Sequence, residues 1–155
     1  MQTFELKHLS LRAPLFYRGI ENPPFAGLNP LPLLASGEGP GDEELFIFEA
    51  EDLIAFDAED GPRLPPAPLP APTFYGRLFA ARAGEEGGKP PYTLSPGSYL
   101  FMQWRPAGEA ELREGIEYFA REAWWEREKA GGPYLIRRLG EDGKVATQLW
   151  RSLEA

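Results

Sequence analysis

The 155 residues contain no cysteine and one histidine. Without thiols there is no disulfide framework, no cysteine nucleophile and no thiolate zinc site, so burial must hold the fold together. One histidine excludes a His-rich metal centre, and no serine sits in a nucleophile-elbow sequence that would make His8 part of a Ser-His-Asp mechanism. Basic charge is also scarce: 16 Lys and Arg against 24 Asp and Glu give a net charge of -8. That balance opposes binding to phosphate backbones and anionic lipid, so neither nucleic acid nor membrane is an expected partner. No apolar run approaches a membrane span, and MQTFELKHLSLRAPLFYRG lacks the apolar stretch of a signal peptide; with the absent cysteine, this places the expected setting in the cytoplasm.

What the chain does have is proline, glycine and aromatic residues: 17 Pro, 17 Gly and 13% Phe, Trp and Tyr. Its length suits a single domain, 1-155. Residues 3-18 read as a β-strand with a bulge or break near Pro14. Residues 21-42 carry too much proline and glycine for regular structure and read as an ordered loop or lid, with Leu28, Leu31, Leu33 and Leu34 available to a core. EELFIFEAEDLIAFD, 43-57, returns to strand character, with LFIF apolar enough to be buried on both faces. GPRLPPAPLPAP, 61-72, is expected to be extended and to connect rather than pair. TFYGRLFAARA, 73-83, reads as a strand with Gly76 at a bulge or close approach, and GEEGGKPP as a turn. SYLFMQW, 98-104, reads as a central strand. A helix is expected over 108-129, stopped by Gly131 and Gly132. PYLIRRL and VATQLWRSL flank Asp142-Gly143 and make a terminal hairpin.

On the helix, Leu112, Ile116, Phe119 and Ala123 form one stripe, the face expected against a sheet. Tyr118 and Trp125, seven residues apart, project away from it, and Trp124 flanks it on the other side. Large aromatic side chains usually find internal cover, and the proline-rich segment 63-72 is a candidate; the alternatives are a ligand cleft or a subunit interface. Glu49 follows LFIF on the side of the strand that Ile47 occupies, where it would anchor a cation or act as an acid or base; the plainer reading is a strand-end carboxylate in water. EAEDLIAFDAED lacks calcium-loop spacing, and GEGPGD and GEEGGK lack the context of a phosphate loop.

The order SPGSYLFMQWRP, helix, PYLIRRLGEDGKVATQLWRSL resembles the second half of GyrI-like small-molecule-binding domains. The resemblance spans the last 60 residues and implies an α+β fold with a cleft for hydrophobic or cationic ligands, often furnished with a glutamate and aromatic residues; some relatives are hydrolytic. The N-terminal half departs from it, with a proline-rich segment in place of a first helix, and no functional residue is carried over.

The expected fold is therefore α+β: a curved, mainly antiparallel sheet of about six strands, one long C-terminal helix and a terminal β-hairpin. The expected function is non-catalytic binding of a small apolar or cationic ligand, with Glu49, Tyr99, Trp104, Tyr118 and Trp125 as candidate binding residues and no catalytic residue, metal or cofactor. The alternatives are a protein-interaction or homodimerisation module using the aromatic helix surface, and a carboxylate-dependent hydrolase or isomerase.

Overall fold

A computed structural model describes residues 4–19, 34, 43–57, 59, 61–65, 69–78, 92–141 and 144–153. Strands dominate them: β1 (Lys7–Leu11), β2 (Leu15–Gly19), β3 (Glu44–Phe48), β4 (Ala55–Asp57), β5 (Gly61–Arg63), β6 (Phe74–Leu78), β7 (Tyr92–Leu94), β8 (Gly97–Trp104), β9 (Ala130–Glu141) and β10 (Lys144–Leu153). The helices with described bounds are the single turn α1 (Ala50–Leu53) and the 17-residue α2 (Glu109–Trp125). The expected α+β class is thereby corrected: the protein is mostly β, because the segments around the prolines also pair into ladders and leave α2 as a minor element.

Eight strands form one antiparallel sheet in the order β1-β8-β10-β9-β3-β6-β2-β7, and β4-β5 form a separate pair. The connectivity forces the large sheet to curl. In a flat sheet β1 and β2, six places apart in that order, would be about 29 Å from each other, yet the chain from Leu11 to Leu15 reaches at most about 14 Å. The same holds for β7 and β8, separated only by residues 95–96. Residues 7–11 and 15–17 therefore pair with residues 97–101 and 92–94, from Lys7↔Phe101 to Tyr17↔Tyr92, and this ladder joins the two ends of the order. Its register slips by one residue between Leu11↔Gly97 and Leu15↔Leu94, where Pro14, which has no N–H, interrupts the strand.

Alternation along the strands divides the core in two. Tyr17, Leu45, Ile47, Leu94, Tyr99, Leu135 and Trp150 make a cluster to which the strands from both ends of the sheet contribute, with Leu9, Leu11, Leu15, Phe74, Tyr92 and Phe101 at its margin; this is the inside of the curl. Phe46, Phe48, Leu100, Met102, Trp104, Ile136 and Leu149 point outward and receive Leu112, Ile116, Phe119, Ala120 and Ala123 of α2. All five residues of β3 are buried because the curl covers Leu45 and Ile47 and the helix side covers Phe46 and Phe48. The helix thus lies outside the curl rather than filling it. It fits closely because position 115 is glycine: a Cβ there would stand 2.4 Å from the Trp104 indole, whose Nε1 donates to the Glu111 carbonyl at 3.2 Å.

Three local expectations change. Segment 61–72 does pair at its start, with Ala55↔Arg63 and Asp57↔Gly61 forming a small hairpin. The helix ends at Trp125, and Gly131 and Gly132 belong to β9 instead of stopping it. The stop is a Schellman turn, with Arg127 N–H donating to Trp124 O and Glu128 N–H to Ala123 O. Terminal β9 and β10 pair in register from Glu141↔Lys144; the expected turn at 142–143, the loop 21–42 apart from Leu34, and the turn 84–91 lie outside the described residues. Leu34 is buried in the outer cluster.

Candidate functional site

One flank of α2, that of Arg113, Glu117 and Arg121, is covered by the chain itself. Residues 61–65 run antiparallel along it: Arg121 Nε donates to Pro62 O at 3.2 Å, Leu64 N–H donates to Glu117 Oε2 at 3.1 Å, and Arg113 donates to Pro65 O. Positions 113, 117 and 121 recur every four residues and so share one face. Leu64 and Leu69 anchor this strap in the outer cluster. Gly61 lies flat on Trp124, where a Cβ would come within 2.8 Å of the indole; the residue also adopts φ 80°, a second reason for glycine there.

The β4–β5 hairpin stands beside the C-terminal end of α2, and between them opens a surface cleft of about 360 Å³. Phe56 and Trp124 meet edge to face at 5.9 Å on its rim. Both keep solvent contact, Phe56 at 64% and Trp124 at 41% exposure. Tyr134 and Arg151 also line it, and Glu51 and Glu128 bring carboxylates to the wall. The Arg151 guanidinium lies 4.4 Å from the Tyr134 ring centroid while its Nε donates to Gly132 O. Burial pushes the Tyr134 phenol pKa up, opposed by Arg151. Glu128 accepts a 3.0 Å contact from His8 Nε2, which ties β1 to the far end of α2.

The five residues singled out from the sequence fall in separate places. Tyr99 is inside the curl, edge to face with Trp150 at 5.2 Å and donating to Ser95 O. Trp104 is on the opposite face, against Gly115. Tyr118 is half-buried beneath Phe4, with ring centroids 5.1 Å apart, so its cover is the N-terminal segment. Trp125, 72% exposed, stacks at a tilt on Trp124 at 5.7 Å. Glu49 precedes α1 and is exposed, without a side-chain capping bond. Tyr118 and Trp125 are thus neighbours on the helix surface with different surroundings, one under Phe4 and the other in solvent.

Sequence reasoning passed over Phe56, Glu51, Glu128 and Arg151. Phe56 carried a signal: a lone aromatic residue between acidic stretches, beside a proline-rich run, is hard to bury locally. The carboxylates carried none, because it is the hairpin and the helix end that bring them to one cleft. Among the described residues no group of three His, Asp or Glu is placed to hold a metal, and no helix is long and apolar enough to cross a membrane.

Fold and cleft together define a mostly β protein, a curled antiparallel sheet with helix α2 packed on its outside and an aromatic, carboxylate-bearing cleft at that helix's C-terminal end. No protein-family model matches the chain, and no curated protein matches it.

Proposed function

We propose that the protein binds a small apolar or cationic molecule, without transforming it, in the cleft between the β4–β5 hairpin and α2. The observation that carries this reading is the pair of solvent-facing rings, Phe56 and Trp124, held edge to face beside Glu51 and Glu128. Solvent-facing aromatic side chains gathered at a cleft mark a recognition site more often than a packing fault. The carboxylates and ring faces suit a cation, and Arg151 already lies over Tyr134 in the same cleft. A chain without cysteine is suited to a reducing cytoplasm.

The test is thermal-shift screening with hydrophobic cations and neutral aromatic metabolites, repeated on Phe56→Ala and Trp124→Ala. Binding raises the midpoint in a ligand-dependent way, by mass action. Both substitutions should abolish the shift. A shift unaffected by either substitution would remove the cleft from consideration.

A further inference from the structure

Helix α2 already receives one extended proline-containing segment, and the way it does so identifies a second site. In the strap 61–65, carbonyls of proline residues accept from arginines, a backbone N–H donates to a glutamate, and the chain passes flat over an indole. This suits the chemistry of an extended proline-rich backbone. Its carbonyls have no partners within the segment, its missing N–H groups leave few donors to satisfy, and its restricted backbone loses little freedom on binding.

The same set of groups recurs past the end of the helix. A groove of about 570 Å³ is lined by Trp124, Trp125, Arg127 and Glu128. The indoles of Trp124 and Trp125 lie 5.7 Å apart at 48° and are 41% and 72% exposed. Arg127 is the one non-glycine among the described residues with positive φ, at 56°. Glycine would relieve that conformation, so the arginine side chain there has a local cost with no evident packing return. Indole faces, an arginine and a glutamate thus stand together in the groove, as Trp124, Arg121 and Glu117 do beneath the strap.

We propose that this groove docks a proline-rich extended peptide of a partner protein. Its rings stack on Trp124 and Trp125, and Arg127 donates to a carbonyl. This is polyproline recognition on an aromatic-lined groove, with the strap as its intramolecular counterpart. It adjoins the small-molecule cleft and shares Trp124 and Glu128 with it, whereas Trp125 and Arg127 line the groove and not the cleft, so substitutions at these two test the groove separately.

The experiment is calorimetric and tryptophan-fluorescence titration of the full chain with an oligoproline peptide and with a glycine-serine peptide of equal length. Saturable binding of the first alone is expected. Trp125→Ala should weaken it about tenfold or more, as loss of a central aromatic anchor does. Arg127→Gly preserves the helix stop and should weaken it about threefold or more while leaving the fold intact. Absence of saturable oligoproline binding, equal binding of the glycine-serine peptide, or unchanged affinity in Trp125→Ala would each overturn the proposal. Concentration-dependent self-association lost in Trp125→Ala would assign the groove to a second copy of the chain and overturn it as well.

Discussion

Glu44 and Arg138 face each other across β3 and β9 and form a buried ion pair of 2.7 Å. Tyr75 also donates to Glu44. On the inner face of the curl a second charged pair is diagonal: Arg137, whose register partner is Leu45, holds Glu43 through Nε at 3.0 Å and Nη2 at 2.6 Å, and Tyr17 donates to the same carboxylate. Arg137 also donates to Gln148, packs 4.8 Å from the Trp150 ring centroid, and so joins β9 to β10. Both faces of one ladder therefore carry a charged pair, one directly opposed and one diagonal, and a slip of one residue would turn the charges of either strand to the opposite face and separate both pairs.

Removing one member of the outer pair is expected to be severe. Glu44→Leu leaves the Arg138 guanidinium, 1% exposed, without its carboxylate and should cost about 3–5 kcal/mol of unfolding free energy. Adding Arg138→Met should restore part of the loss, because the buried charge that faced Glu44 is then gone. Urea unfolding of the two single variants and the double variant checks this; additive losses would show that the pair is not coupled.

Alkaline pH should destabilise the fold through the same two clusters. Burial raises the Tyr17 phenol pKa, with the Glu43 hydrogen bond adding to it and Arg137 opposing it. Burial, reinforced by the Glu44 hydrogen bond, pushes Tyr75 up to about 12. A folded pKa above the unfolded one means full stability below the unfolded value of about 10 and progressive loss as pH rises through the folded values. Unfolding midpoints should thus be insensitive to these phenols below about pH 10 and fall between about 10 and 12. Tyrosinate absorbance in the native protein should develop later than in the unfolded chain. Tyr17→Phe should reduce the slope.

Gly115→Ala tests the closeness of helix and sheet. Helix propensity alone favours alanine by about 1 kcal/mol. The added Cβ, at 2.4 Å from the Trp104 ring, must instead move an indole held by its bond to Glu111 O. A net loss of about 1–3 kcal/mol is expected, as for an overpacked core. A net gain on denaturation would mean that the ring yields at little cost.

How far these features could be read from the residues depends on their range. The helix stripe of Leu112, Ile116, Phe119 and Ala123 was legible because a period of 3.6 residues is a local property, and each of these four is buried. The burial of LFIF on both faces was legible for the same reason. What escaped was set at long range. Proline in 61–72 suggested a connector, yet Pro62 tolerates a ladder position in the short two-stranded pair β4–β5, and Arg121 takes up its carbonyl. The mostly β class escaped because the pairing of 7–17 with 92–101 is invisible to local periodicity. Tyr118 and Trp125 looked equivalent on the helix surface, and only the return of Phe4 from the N-terminal segment separates them.

Arg127 supplies the last test, since it occupies the left-handed position at which α2 stops. Glycine is the usual residue there because it has no Cβ to meet the preceding carbonyl, a strain worth about 1–2 kcal/mol for other residues. Against this, glycine frees the unfolded chain and returns part of the gain. Arg127→Gly is therefore expected to raise stability by about 0.5–1 kcal/mol, while Arg127→Ala, which keeps the strain and loses only the side chain, should leave it nearly unchanged. Chemical denaturation of the two variants separates the backbone effect from that of the guanidinium. If alanine destabilises and glycine gives no gain, the arginine side chain contributes to the fold itself, and its presence at a strained position needs no ligand to explain it.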